Sequence, residues 1–76
     1  SMDMFVWNCI IPKSELNNYM KKYLIGNVRT VSDGVELRVL SKMPPTGNAV
    51  QVEATLEDAF LLYFGEKAGD KDDVQI

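Results

Sequence analysis

Residues 54–65 read ATLEDAFLLYFG and predict an α-helix with a start signal and a stop signal. Thr55 can accept hydrogen bonds from the first unpaired backbone N–H groups, and Asp58, three residues on, can reach back to complete a capping box. Gly65 suits the left-handed position just past the last turn of a helix. We therefore expect the helix to begin after Thr55 and to end at Gly65.

This helix has more apolar residues than one face can hold. At about 100° per residue, one apolar face comprises Leu56, Ala59, Phe60 and Tyr63, with Phe64 at its border. We expect that face to pack on a sheet. Leu61 and Leu62 lie on the far side of the helix, where they straddle Asp58. Two interpretations stay open for this pair: the loop that contains Pro44 and Pro45 buries them, or a partner does.

The first third of the chain predicts a strand followed by a helix. Residues 4–11 (MFVWNCII) are apolar on both faces and rich in β-branched and aromatic side chains, which favours an interior strand. Ser14, shortly after Pro12, is expected to cap the next helix, and Gly26 is expected to turn the chain back. The helix should bury one stripe, made of Leu16, Tyr19, Met20 and Tyr23.

The middle of the chain predicts three further strands. Residues 27–32 and 35–41 should form a hairpin across Asp33-Gly34, since this dipeptide is a strong hairpin signal. In the second of these strands Val35, Leu37 and Val39 alternate with polar residues, which indicates one buried face. Residues 42–48 (KMPPTGN) should form a loop. Residues 49–54 should form a short fourth strand before the capped helix.

The order strand, helix, strand, strand, strand, helix predicts an α+β domain, a small and mainly antiparallel sheet with the helices on one face. This order makes it a relative of ferredoxin-like domains. We expect residues 4–65 to form the domain and residues 1–3 to be a tag remnant or leader. Residues 66–76 (EKAGDKDDVQI) are polar and charged, and we expect a disordered acidic tail.

Composition excludes several kinds of site. The chain has no histidine and one cysteine, so it lacks the usual ligands for a zinc or iron–sulfur centre, and Cys9 fits a buried strand position. The net charge of −3 comes mostly from residues 66–76, with four acids and two lysines, and the body is close to neutral. A neutral body does not favour nucleic acid. We expect no catalytic, metal or cofactor site.

The end of the chain nevertheless resembles a known family. Residues 52–65 (VEATLEDAFLLYFG) are similar to the end of ATP-binding subunits of bacterial ABC-type transporters, in particular drug, lantibiotic and peptide exporters. In that family a Pro-Thr-Leu-Glu-Asp-Val/Ala-Phe/Tyr-Leu segment closes a small accessory domain, and Ala54 stands where proline is common. Residues 6–7, 11–12, 22–25, 27–29 and 37–41 add to the resemblance, which spans residues 4 to about 65.

The resemblance implies that this chain is the C-terminal accessory domain of a longer ATPase subunit. Nothing here matches Walker A, the ABC signature or Walker B, so ATP and Mg would bind the missing nucleotide-binding domain. The implied partners are that domain, the second ATPase subunit and a membrane permease, with a homodimer also open. The implied place is the cytoplasm, at the inner face of the cell membrane. The domain itself is expected to be no enzyme.

Two roles follow from the resemblance and the residues. The first is a regulatory and interaction domain that helps the ATPase subunits to pair or stay stable, with Leu61, Leu62 and Phe64 at the interface. The alternative is a sensing domain for the transported small molecule, with a pocket near Trp7, Met20 and Phe60.

Overall fold

The computed structural model describes the backbone of residues 4–74 and the side chains of residues 4–65. Its elements are strand β1 (Phe5–Ile11), a 3-10 helix (Lys13–Glu15), helix α1 (Leu16–Lys22), strands β2 (Leu24–Val31), β3 (Gly34–Ser41) and β4 (Val50–Val52), and helix α2 (Leu56–Val74). The strands form one sheet in the order β2-β3-β1-β4, in which every neighbouring pair is antiparallel. The predicted α+β fold with an antiparallel sheet is confirmed, and β1 is an interior strand as predicted.

The core lies on one face of the two central strands. Its members alternate along β1 and β3, as expected for side chains that share one face of a sheet. These buried residues are Cys9, Ile11, Val35, Leu37 and Val39. Leu16 and Tyr19 of helix α1 and Tyr23, which directly follows it, cover them with partly buried side chains. We call this side of the sheet the α1 face.

Helix α1 differs from its prediction at two positions. Ser14 lies inside the 3-10 helix that precedes α1 and makes no capping hydrogen bond; the chain enters this turn at Pro12, whose carbonyl accepts from the Glu15 N–H at 2.9 Å. Met20 is exposed rather than part of the buried stripe. A helix of seven residues makes two turns, so only part of the predicted stripe reaches the sheet.

The β2–β3 hairpin forms, but its turn is one residue earlier than predicted. Val31 pairs with Gly34, so Ser32 and Asp33 form the turn and Gly34 begins β3. Gly34 has a φ of 148°, and a Cβ at this position would lie 2.3 Å from the carbonyl oxygen of Ile11. Glycine is therefore required because the backbones of β1 and β3 approach closely here.

Gly26 does not turn the chain back. It lies within β2 at an irregularity in the β2–β3 register, between Ile25 and Asn27. One extra residue at this bulge lets Ile25 face Val39 and Val28 face Leu37, both on the α1 face. The turn back occurs earlier instead, at Tyr23, which follows α1 and has an extended backbone.

The two helices cover opposite faces of the sheet, in contrast to the prediction of one shared face. Arg38 and Leu40 alternate with the core residues of β3, so they lie on the other face, where Arg38 binds Asp58 of α2. The end of the loop of residues 42–49 also lies on the α1 face, where Ala49 packs on the core and Thr46 forms a hydrogen bond with Cys9. We call the side that α2 covers the α2 face.

Helix α2 continues beyond the predicted stop. It runs from Leu56 to Val74, so Gly65 lies inside the helix and is not its end. A Cβ at Gly65 would lie 2.9 Å from the side chain of Leu24, so this glycine allows α2 and β2 to approach closely. The backbone of residues 66–74 is helical, which differs from the expected disordered tail. Residues 1–3 and 75–76 lie outside the described residues, so the expected tag remnant stays a prediction.

Candidate interaction site on helix α2

The capping box at the start of α2 is confirmed. The Thr55 backbone N–H and hydroxyl both donate to Asp58 Oδ2, at 2.7 Å and 3.0 Å. In return the Asp58 N–H donates to Thr55 Oγ1 at 3.4 Å. The two residues thus satisfy backbone donors that the first helical turn leaves unpaired.

Asp58 has a second role that its position in the sequence does not reveal. Arg38 of β3 binds the same carboxylate with two parallel hydrogen bonds, from Nε to Oδ1 at 2.9 Å and from Nη2 to Oδ2 at 2.6 Å. Nη2 also donates to the carbonyl oxygen of Glu53 at 3.0 Å. A bidentate pair of this kind fixes orientation as well as distance. Arg38 therefore ties the first turn of α2 to the centre of the sheet.

This ion pair is well shielded on the carboxylate side. The Asp58 side chain is 6% exposed and that of Arg38 is 27% exposed. The hydrogen bonds from Arg38, opposed by burial and supported by those from Thr55, lower the pKa of Asp58 from 3.8 to about 2. The same contact raises the pKa of Arg38. Asp58 thus stays ionised at neutral pH although it is buried.

The position of Asp58 determines which side of α2 meets the sheet. Leu61, Leu62 and Gly65 follow Asp58 at i+3, i+4 and i+7, which places all four on one helical stripe. A Cβ at Gly26 would lie 3.4 Å from the Leu61 side chain, and Gly65 lies against Leu24. Leu61 and Leu62 are half-buried. We call this stripe, made of Asp58, Leu61, Leu62 and Gly65, the inner face of α2.

Four large apolar side chains are left on the opposite side. We call this set the outer face of α2: Leu56, Phe60, Tyr63 and Phe64, with exposed fractions of 70%, 53%, 56% and 61%. The aromatic rings lie close together, with centroids 6.3 Å apart for Phe60 and Phe64 and 5.1 Å apart for Tyr63 and Phe64. The outer face is thus a continuous apolar surface two turns long.

The predicted orientation of this helix is wrong. Leu56, Phe60 and Tyr63 were expected to pack on the sheet, yet they are exposed, while Leu61 and Leu62 face the sheet. The number of apolar residues on each side predicts the wrong orientation because Asp58 is more than a helix cap. The structure turns Asp58 inward because Arg38 is there to neutralise it. Leu61 lies against Gly26 of β2 and Leu62 lines a pocket with Leu40 of β3, so the sheet covers this pair.

The residues of the two predicted sites are therefore separated. Of the predicted interface, Phe64 belongs to the outer face, whereas Leu61 and Leu62 belong to the inner face. Of the predicted pocket, Trp7 lies on the α1 face and donates its indole N–H to the Ser41 carbonyl at 3.0 Å. Met20 is exposed on α1 and Phe60 is exposed on α2, so Trp7, Met20 and Phe60 do not line one cavity.

Two hollows adjoin α2. A polar cleft of about 500 Å³ lies beside the ion pair, between α2 and the bulge of β2, with Gly26, Asn27, Arg38 and Glu57 among its lining residues. A smaller apolar pocket of about 150 Å³ lies under the first turns of α2. Its lining is almost entirely apolar and includes Val6, Leu40, Ala59 and Leu62.

The described residues offer little for metal or thiol chemistry. Residues 4–65 contain no group of three or more His, Cys, Asp or Glu side chains that could hold a metal ion. Cys9 is buried as predicted, and burial raises the pKa of its thiol, partly offset by a hydrogen bond with Thr46. Among the described helices, none has the length and apolar character needed to cross a membrane.

The resemblance to the ATP-binding subunits of ABC-type transporters rests on the sequence pattern of residues 4–65. No protein-family model, no curated protein and no solved structure matches this chain.

Proposed function

We propose that this chain is a non-catalytic interaction domain of the ATP-binding subunit of an ABC-type exporter, where it helps the ATPase subunits to pair or stay stable. The resemblance of residues 4–65 supports the assignment to that subunit. The observation that carries the interaction role is the outer face of α2, defined by Leu56, Phe60, Tyr63 and Phe64.

The composition of the outer face supports contact with another protein. Three of its four residues are aromatic, and aromatic side chains are enriched in the buried centres of protein interfaces. Single exposed apolar residues are common on protein surfaces, but a continuous apolar patch more often marks an interaction site. Covering such a patch removes apolar area from water, at roughly 25 cal/mol for each Å².

The inner face explains how such a surface is maintained. A free amphipathic helix would turn its largest apolar side chains toward the sheet. In this chain the Arg38–Asp58 pair holds the opposite side inward, which keeps Phe60 and Phe64 in solvent. The ion pair thus presents the outer face to a partner instead of letting it collapse onto the domain.

Within the exporter, the partners that suit this proposal are the nucleotide-binding domain of the same subunit and the second ATPase subunit. ATP and Mg bind the nucleotide-binding domain, and the permease is reached through the assembled subunits. The domain lies in the cytoplasm, at the inner face of the membrane. Its own residues take no part in ATP hydrolysis.

The test is a titration of the isotopically labelled chain with the full ATPase subunit encoded in the same reading frame, which carries both the nucleotide-binding domain and a second copy of this domain. We expect amide shifts concentrated in residues 56–64 and loss of binding in Phe60→Glu. Met20→Glu is the matched control, because Met20 is 55% exposed and Phe60 is 53% exposed. Equal binding by both variants would contradict the outer face as the contact. A reading frame without a Walker A segment would contradict the exporter assignment.

A second candidate function is sensing of a small apolar molecule, which the apolar pocket favours. Its volume of about 150 Å³ is close to that of an engineered apolar cavity that binds benzene. The pocket lies between Leu40 of the sheet and Leu62 of α2, so a ligand there would contact both the sheet and the helix. The sensing residues would then be these, rather than Trp7, Met20 and Phe60.

Amide shifts also test the sensing role. Benzene and toluene, added as probes of suitable size, should shift the amides near Leu40 and Leu62 if the pocket accepts a ligand. Leu62→Phe should abolish those shifts by filling the pocket. Shifts that are absent, or that are the same in Leu62→Phe, would rule out the pocket as a ligand site.

A further inference from the structure

The spacing of the outer face allows it to match a second copy of itself. Leu56 and Phe64 lie four residues before and four residues after Phe60. Four residues span about 6 Å along a helix, slightly more than one turn. An antiparallel pair of such helices, centred on Phe60, would therefore place Phe60 against Phe60 and Leu56 against Phe64 at both ends.

We propose that the occupant of the outer face is a second copy of this chain, bound by antiparallel packing of the two α2 helices around a two-fold axis at Phe60. The proposal rests on the proposed function and names the partner. An interface of this kind uses the same patch on both copies, which requires a self-complementary residue pattern. The sequence Leu-x₃-Phe-x₃-Phe meets this requirement because both of its ends are large and apolar.

The charges near the contact permit this register. Asp58 is turned to the inner face and is paired with Arg38, so its charge does not enter the contact. Glu57 lies three residues before Phe60, so it falls opposite residue 63 of the second copy and not opposite another acid. The centre of the contact therefore brings no two like charges together, which would otherwise oppose association.

The area is sufficient for a weak dimer. Aromatic side chains bury about 150–250 Å² when fully covered, so three of them and Leu56, which are 53–70% exposed, offer on the order of 500 Å² in each copy. Two copies then remove about 1,000 Å² from solvent, near the lower limit of specific interfaces. A dimer with this area should dissociate on dilution.

Engineered thiols can test the register directly. Helix axes that pack at about 8–10 Å bring two facing Cα atoms to within roughly 5 Å, which a disulfide can bridge. In Phe60→Cys the two thiols face each other, so diamide should cross-link two copies of this single variant. In Leu56→Cys the equivalent positions are about 12 Å apart along the axis, too far for a disulfide. A mixture of Leu56→Cys with Phe64→Cys should cross-link, whereas Leu56→Cys alone should not.

Two controls measure random collision. The wild type contains only the buried Cys9 and should not cross-link. Met20→Cys places a thiol at a position of similar exposure on α1. We expect Phe60→Cys to cross-link at least about tenfold faster than Met20→Cys, since two thiols in one complex see each other at an effective concentration near millimolar.

Sedimentation of the wild type and of Phe60→Glu provides a second measurement that needs no oxidation. We expect a dimer that forms with rising concentration in the wild type and in Met20→Glu, but not in Phe60→Glu. Equal cross-linking of Phe60→Cys and Met20→Cys, or a wild type that stays monomeric at millimolar concentration, would overturn the second-copy proposal. If the nucleotide-binding domain still binds the outer face in that case, the proposed function stands; if it does not, both fail.

Discussion

On the α1 face, the buried core consists of apolar side chains that are 2% exposed or less, whereas on the α2 face the buried set is Val6, Leu40 and one carboxylate, Asp58. The first face is stabilised mainly by removal of apolar area from water, which does not depend on direction. The second face relies on a directional ion pair to place its helix. We infer that the α1 face provides most of the stability, and that the α2 face determines which surface α2 presents.

The largest effect should come from the centre of the α1 face. Leu37 is fully buried in β3, one of the two central strands, and Leu37→Ala removes three carbon atoms and leaves a cavity. We expect a loss of about 3–4 kcal/mol in the free energy of unfolding, measured by urea denaturation. Met43→Ala in the loop of residues 42–49, where Met43 is 69% exposed, is the control and should change stability by less than about 0.5 kcal/mol. A similar loss in both variants would show that the core is elsewhere.

The ion pair should come next. Arg38→Met removes the partner of a buried carboxylate, and we expect a loss of about 2–3 kcal/mol together with faster amide exchange in residues 56–64. Arg29→Met is the matched control because Arg29 pairs with Glu36 on the same sheet at 2.5 Å, but its side chain is 64% exposed. Exposed pairs contribute about 0–1 kcal/mol.

A double variant refines the same comparison. Arg38→Met with Asp58→Asn removes both charges and keeps a side-chain oxygen that can accept from the Thr55 N–H, so no unpaired buried charge remains. We expect this double variant to be more stable than Arg38→Met alone. If Arg29→Met proved as destabilising as Arg38→Met, or if the double variant brought no recovery, the ion pair would not be what holds α2.

Acid should weaken the α2 face by a smaller amount. The folded pKa of Asp58 is about 2, against an ordinary value of 3.8. A lowered folded pKa means that the stabilisation is fully present above the unfolded pKa and is lost as the pH falls from about 4 to about 2. The loss should be on the order of 2 kcal/mol, since one pKa unit corresponds to about 1.4 kcal/mol. Melting curves over this pH range measure it, and Asp58→Asn should lack this component. A pH profile identical in Asp58→Asn would contradict the assignment.

The sequence predicts the fold class well because its signals are local. Apolar alternation in β1 and β3 and the capping box of Thr55 and Asp58 each depend on neighbours within a few residues, and the structure confirms them. The placement of the helices depends on distant pairs instead. Local sequence patterns do not predict that Thr46 and Ala49 of the loop pack on the α1 face, or that α2 packs on the other face.

The candidate site could be predicted only in part. The sequence indicates that residues 54–65 have more apolar side chains than one face can hold and predicts Phe64 at an interface, but it assigns the exposed side to Leu61 and Leu62. One signal was available: a basic residue, Arg38, alternates with the buried valines and leucine of β3, and Asp58 lies between Leu61 and Leu62 on the helix. An ion pair between these two opposite charges predicts the orientation of α2 that the structure shows. The prediction that Gly65 ends the helix is wrong for a similar reason. Glycine occurs at helix ends, but it also occurs where two elements pack closely, as α2 and β2 do here.

The orientation of α2 can be tested with two neighbouring residues and one substitution. Leu61→Glu places a charge between α2 and the sheet, and we expect it to reduce the free energy of unfolding by at least about 2 kcal/mol. Phe60→Glu places the same charge in solvent and should change it by less than about 0.5 kcal/mol. Urea denaturation at the lowest usable concentration keeps association from contributing. A larger loss in Phe60→Glu than in Leu61→Glu would show that the outer face packs on the sheet and would contradict the orientation described above.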